Sequence, residues 1–399
     1  MKTLWIYEMK KIWQRRMVWI CLVFSIMLAL ITVGGPLLGS YYVKGEKLGS
    51  NYEIFLQDKA YQKALDGRAI DDMLLSEMQE AYSNVPFEDE KYSLTEAYQK
   101  YARPYSAIYH YVRQVTGLAG VELVAWQGGA ADLQRMRLMK MEKRWEELLL
   151  SDREKDYWRA AEARLEEPMV FRYAEGYSVL FSAAYTIGAL VLFIVAICLS
   201  GVFPQEHGRK TDQMILCCKW GRGKLYMAKC GAGILSALGM SASLVLTAVI
   251  VALVLYGTEG YDAAFQQIYV GNSHSLTVGE AVLITYLMIL LAGVFMGALV
   301  MMFSEIFHSS MGALSIAIGI ILLPMFFSMP EEYRLLSQLW SYLPGDFVAG
   351  WSCFSMQTVV IAGKVFLPWQ VVPVLYMMLG LLFAWVTGRR FLNYQVSGR

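Results

Sequence analysis

Charge is absent from long stretches of this 399-residue chain. Met17–Leu38 runs for 22 residues without Asp, Glu, Lys or Arg, enough to cross the roughly 30 Å hydrocarbon layer of a bilayer as one helix. The run is too long for the apolar core of a signal peptide, so it reads as an uncleaved anchor. Cysteine is scarce where a disulfide framework would need it. The six cysteines are Cys21, Cys198, Cys217, Cys218, Cys230 and Cys353; residues 40–177 have none and must fold on their own core. Adjacent Cys217 and Cys218 lack metal-ligand spacing and the four histidines are scattered, so no metal site is expected. Gly208-Arg-Lys-Thr has neither the earlier Gly nor the Gly before the Lys of a phosphate-binding loop, so no ATP is expected on this chain by that route. The chain has no G-x-S-x-G, HExxH or Cys–His arrangement, and no enzyme is expected. Carboxylates and histidines are missing from the middle of the apolar runs, which disfavours ion-coupled transport.

What is present is apolar and segregated. Hydrophobic residues make up 56% of the chain and mean hydropathy is +0.39, too apolar for an ordinary soluble domain. Residues 40–177 carry 19 Lys/Arg against 24 Asp/Glu, whereas the rest carries 16 against 10. This split puts the acidic part on one side of a membrane and the basic part on the other. The expected fold is an all-α polytopic membrane protein with six transmembrane helices and a large, mainly helical extracellular domain between the first and second. Residues 1–16 hold five Lys/Arg, with Leu4, Trp5, Met9, Ile12 and Trp13 roughly on one face, and read as a cytoplasmic interfacial helix.

The first span is placed at 17–39, the outer domain at 40–177, the second span at 178–203 and a cytoplasmic segment at 204–229. Spans three to six lie within 230–390, leaving a cytoplasmic tail at 391–399. Within the outer domain, apolar residues recur at helical spacing in Tyr52–Leu65, Met73–Tyr82, Leu94–Val115 and Leu133–Leu165. Its tyrosine run, Tyr92 to Tyr111, reads as core packing before ligand binding. Residues 259–280 form a short outer loop without Lys or Arg. Gly293-xxx-Gly297 suits close helix packing. Residues 331–364 are read as a re-entrant or surface-lying outer segment, because counting 347–363 as a span would leave Arg389 and Arg390 outside. Both termini are then cytoplasmic, in the plasma membrane.

The polar stretch 203–229 holds six Lys/Arg against two acids, which places it inside. Met214, Cys217 and Cys218 give it a short apolar stripe, able to lie on lipid or dock on a soluble partner. Its spacing resembles the cytoplasmic loop of ABC-2 type permeases, the membrane subunits of one class of ABC exporter. Glu206 matches that loop's acid, Thr211 its threonine, Ile215 and Leu216 its Leu-rich turn, Arg222 its arginine and Lys229 the lysine opening the next helix. Lys210 stands where the family usually has Gly, and Lys219 where it has Pro. Leu343-Pro344 also resembles the Leu-Pro before the family's short outer helices.

The resemblance implies that Glu206, Thr211, Leu216, Arg222 and Lys229 couple the chain to a separate nucleotide-binding ATPase subunit, which carries the ATP and Mg. It implies a second permease copy or homologous permease, with spans two and five lining the path; Phe181, Tyr185, Thr186 and Ser315 are the path candidates. Membrane lipids are the other partner and no nucleic acid is expected. A weakly polar path suits an apolar or amphipathic substrate such as a lipid, drug or antimicrobial peptide. Two other readings stand beside this one: a receptor or sensor subunit whose outer helical domain binds a peptide, and a membrane-embedded enzyme such as a lipid transferase or protease.

Overall fold

The structure, a computed structural model, describes residues 2–208, 221 and 223–393, without the side chains of His207 and Gly208. It is mostly helical, and among the described residues five helices are long and apolar enough to cross a membrane: α2 (Arg16–Gly34), α9 (Glu175–Leu199), α11 (Gly223–Tyr256), α12 (Val278–Phe307) and α17 (Pro368–Asn393). By length and composition the chain is a multi-pass membrane protein. Two compact units are distinguished. The first is Met1–Thr32, Phe181–Ile250 and Ile284–Arg399; the second is Val33–Leu180 and Val251–Leu283.

The first unit begins with α1 (Lys2–Trp13), which buries Glu8 and Ile12, one helical turn apart. In α2, Trp19, Ile20, Val23, Phe24, Met27 and Ile31 are exposed while Val18, Leu22 and Ala29 are buried. An apolar stripe of that kind is stable in lipid and a liability in water. Small residues let three helices approach closely. A Cβ on Gly293 of α12 would lie 2.2 Å from the Ser241 Oγ of α11 and 2.8 Å from Val191 of α9. Gly297, one turn on, faces Ala237 and Leu199. Such contacts replace the hydrophobic drive that lipid does not supply.

Residues 309–330, an uncharged run within the 230–390 stretch expected to hold spans three to six, form a helix shorter than that run. This helix, α13 (Ser310–Phe326), begins at a Ser309 cap that accepts from the Gly312 N–H, and ends in extended Phe327. Seventeen residues make about 25 Å of helix, below the usual span. After it come three short helices, α14 (Arg334–Ser341), α15 (Pro344–Phe347) and α16 (Gly350–Cys353), then a hairpin of β3 (Val359–Ile361) and β4 (Lys364–Phe366).

The second unit opens with another hairpin, β1 (Ser40–Val43) and β2 (Glu46–Ser50), closed by Lys44 and Gly45, both at positive φ. Neither hairpin was expected, because strands of three to five residues are too short for alternation to register. Ser50 then caps α3 (Asn51–Leu65) in a capping box with Glu53, and Asp71 caps α4 (Asp72–Ser83) through the Leu74 N–H. With α5 (Ser106–Thr116), α6 (Val121–Ala125) and α7 (Ala130–Glu147) these enclose a core of Leu74, Leu75, Met78, Ile108, Val112 and Leu123. Tyr109 stacks on Tyr82 at 4.3 Å, and Tyr92 and Tyr98 pack beside them. Of the tyrosine run Tyr109 is buried, Tyr92, Tyr98, Tyr105 and Tyr111 are half-buried against the core, and Tyr101 is exposed.

The charge-rich stretch expected as one helix is broken at Leu148–Ser151 into α7 and α8 (Asp152–Glu162). Segment 259–280 belongs to this unit rather than hanging as a loop. Phe265, Asn272 and Ser273 are fully buried, the His274 ring lies 5.0 Å from Trp158, and buried Arg137 bridges Glu162 and the Asn272 carbonyl.

Candidate functional site

Pro204, whose missing N–H costs nothing in a first turn, opens α10 (Pro204–Gly208) directly after α9. That turn sets Glu206 beside α1 and α11. Because α11 starts at Gly223, Lys229 already lies inside a helix, where it is 1% exposed. Its Nζ sits 2.8 Å from Glu206 Oε1, 3.2 Å from Glu8 Oε2 and 3.4 Å from the Val202 carbonyl. Lys11, three residues beyond Glu8 on the same helix face, closes the group at 2.5 Å from Glu8 and 3.0 Å from Glu206. Among the described residues the group holds two lysines and two carboxylates, whose charges balance, with Glu8 and Lys229 buried and Lys11 half exposed. Burial works to lower the Lys11 pKa, but the hydrogen bond to Glu8 and the charges of Glu206 and Glu8 outweigh it and hold it above the usual lysine value.

Arg15 extends the clasp. It donates to the Cys198 and Gly201 carbonyls at 3.4 and 3.3 Å and to Gln205 Oε1 at 2.9 Å, serving carbonyls that the end of α9 leaves without helical donors. On the far side, Phe203, Tyr226 and Phe391 form a triangle of rings with centroids 5.9 to 6.3 Å apart. Tyr226 also donates to the Ala384 carbonyl of α17. The turn after α9 is therefore gripped by α1, α11 and α17.

Of the residues singled out in the sequence, Glu206 and Lys229 are brought together directly. Thr211, Leu216 and Arg222 lie outside the described residues. No protein-family model matches the chain, and no curated protein matches it. The site is thus read from its own chemistry. Glu8, Lys11 and Arg15 were missed in the sequence, where they passed as part of a basic interfacial helix. The signal was Glu8, the lone acid among five basic residues in 1–16.

The four path candidates separate into two pairs. Phe181 and Tyr185, one turn apart on α9, face the segment carrying α15 and α16: the Phe181 ring is 6.4 Å from Phe354 and the Tyr185 ring 5.4 Å from Trp351. Two glycine contacts seat this segment. A Cβ on Gly350 would meet Phe181 at 2.6 Å, and one on Gly188 would meet Val348 at 2.4 Å. Gly345 is pressed likewise against the Ile321 carbonyl of α13, 2.1 Å from where its Cβ would be. Phe347–Gly350 are accordingly buried. Thr186 and Ser315 are both exposed, and the Ser315 hydroxyl donates to Met311 in its own helix.

Between these faces lies Asp346, the only acidic residue after Glu332. Its carboxylate accepts from Ser352 at 3.3 Å. Burial pushes its carboxyl up to about 6, with the Ser352 hydrogen bond opposing the rise. Among the described residues no Lys, Arg or His forms an ion pair with it. Among them, too, no group of three or more His, Cys, Asp or Glu is placed to hold a metal ion.

Proposed function

We propose that the chain is the transmembrane subunit of an ATP-driven exporter, energised by a separate ATPase subunit and working beside a second permease copy. The observation that carries the reading is the Glu206–Lys229 pair. It joins the two ends of the basic 206–229 segment at one point, locked to Glu8 and Lys11 of α1. A push on that segment would reach α1, α9 and α11 together, because the contacts of buried Lys229 with Glu206 and Glu8 resist being pulled apart. The spacing of Glu206, Thr211, Leu216, Arg222 and Lys229, which resembles the coupling loop of ABC-2 type permeases, supports the same reading.

In this proposal α13 completes a set of six spans, with both termini and 206–229 cytoplasmic. The acidic 40–177 domain is extracellular, as lid or substrate guide. The substrate is apolar or amphipathic, and its path runs along Phe181 and Tyr185. Arg222→Ala is the cleaner test of coupling, since Glu206 is tied into the cluster. ATP hydrolysis by the assembled complex should fall severalfold with membrane insertion intact; unchanged hydrolysis would overturn the coupling role.

One observation favours a second reading, a receptor for a peptide. The second unit contains a cavity of about 850 Å³ lined by Tyr111, Arg137, Arg164, Arg172, Asp262 and Gln266, among others, with the mixed polarity that a peptide backbone requires. Nucleotide-stimulated movement of a substrate across the membrane would decide against it.

A further inference from the structure

Resting on the peptide reading of the cavity in the second unit, and independent of whether the chain exports or senses, we propose that an extended peptide binds there by pairing with an open backbone edge at Val170.

The edge follows from a short antiparallel ladder. The Ile70 N–H donates to the Met169 carbonyl and the Phe171 N–H to the Arg68 carbonyl, each at 2.8 Å, and the Gly67 N–H donates to the Phe171 carbonyl at 2.9 Å. These bonds bracket the bridge between Ala69 and Val170. In such a ladder the N–H and C=O of one residue leave on the same side, and the side alternates along the strand. Met169 and Phe171 therefore turn their polar groups toward residues 67–70, while Val170 and Arg172 turn theirs the opposite way. At Arg172 that outer edge is filled: its N–H donates to Gln267 Oε1 at 3.0 Å and its carbonyl accepts from Gln267 Nε2 at 2.6 Å. The Gln267 amide stands where the peptide group of a neighbouring strand would stand. At Val170, two residues back on the same edge, neither the N–H nor the carbonyl makes a hydrogen bond among the described residues. Val170 is half-buried and borders the cavity.

An unpaired strand edge is a template for an added strand. The cavity supplies the rest of a binding site. Buried Ile70 and Leu133, with half-buried Tyr111 and Met169, give it an apolar wall for a side chain. Ala131, Arg164, Glu166 and Asp262 are exposed, so the cavity opens to solvent. Charges of both signs line that opening, which leaves selection to the main chain and an apolar anchor rather than to the charge of the peptide.

The test uses the full-length chain in nanodiscs, immobilised and exposed to a randomised pool of nonapeptides blocked at both ends, with retained sequences read by mass spectrometry. The most strongly retained sequence is then synthesised with a single backbone N-methyl group at each position in turn, which removes one donor and leaves the side chains unchanged. The expected result is enrichment of sequences with an apolar anchor, and a loss of about tenfold or more on N-methylation at one position or at alternate positions, with the neighbours tolerated. Val170→Pro removes the N–H that the peptide would use and no hydrogen bond within the chain, at an edge where proline is accommodated. It should weaken binding about tenfold, whereas Val170→Thr keeps the N–H and should bind as the wild type does. Ala131→Trp, at an exposed position, should block the cavity and abolish retention. Exchange protection of the Ile70 and Phe171 amides should be unchanged in all of these variants, which shows the ladder intact. Retention that neither N-methylation nor Val170→Pro weakens overturns the main-chain pairing and leaves the peptide reading standing. No enrichment from the pool overturns both.

Discussion

Glu206→Gln removes one carboxylate from the cluster while nearly preserving its shape. Lys229, at 1% exposure, loses its nearest partner at 2.8 Å and keeps Glu8 at 3.2 Å, which it must then share with Lys11. Among the described residues the group passes from balanced charge to one net positive charge, with Lys229 buried. Breaking a buried pair typically costs about 3–5 kcal/mol, and the retained Glu8 places this case at the lower end, about 3 kcal/mol. Lys229→Met alone leaves two carboxylates for Lys11, which is 46% exposed and can serve both; the cost should be about 2 kcal/mol. The double variant is neutral again, so it should be less destabilised than the sum by about 2 kcal/mol. Unfolding by SDS titration of the reconstituted protein measures all three. A Glu206→Gln loss within about 0.5 kcal/mol of zero, or simple additivity in the double variant, would refute the cluster as the clasp of the 206–229 segment.

Three further outcomes follow from other places in the fold. Gly293→Ala puts a methyl 2.2 Å from Ser241 Oγ and should cost about 1–3 kcal/mol. Adding Ser241→Ala should recover part of it in the same titration, and no recovery would show that the α9–α11–α12 contact is not what the glycine protects. Arg137→Met strands the buried Glu162 carboxylate and breaks the tie to the Asn272 carbonyl. Hydrogen exchange should then quicken across α8 and 265–277, corresponding to a loss of about 3 kcal/mol; unchanged protection would remove that tie from the account. For Asp346, burial raises the folded-state value to about 6 from an ordinary 3.8, so the folded state holds the proton more tightly than the unfolded chain. The fold should gain stability as pH falls through about 6 toward 4 and lose it on the way back. Asp346→Asn should flatten that slope, and an identical pH profile in the variant would contradict the burial argument.

Most of the helical architecture was legible because its signal is strong and local. Twenty or more uncharged residues, as in Met17–Leu38 or Ala281–Ser304, have few alternatives to a membrane-spanning helix. The shortness of α13 was not legible, since 309–330 is uncharged throughout; the helix ends at Phe326 for reasons of local backbone and capping rather than polarity. Segment 259–280 looked like a loop because its burial depends on distant partners: Asn272 and His274 find their places only once α7 and α8 exist. The same holds for the charge cluster. Glu206 and Lys229 stood out by spacing, but Glu8 and Lys11 are some two hundred residues away in sequence, and no pattern within the first helix reveals their partners. Asp346 was passed over because it sits at the edge of the uncharged run that follows it, and only the packing of Gly345 and Gly350 draws it inward.

The central claim is that a separate ATPase drives this chain through its 206–229 segment. It is tested most directly by tagging the C-terminus, extracting the protein gently from its native membrane, and identifying what co-purifies in fixed ratio. The expected result is a Walker-motif ATPase of separate sequence, with either a second copy of this chain or a second permease. No ATPase under several mild extractions would contradict the exporter reading and leave the cavity of the second unit as the place to look for a ligand.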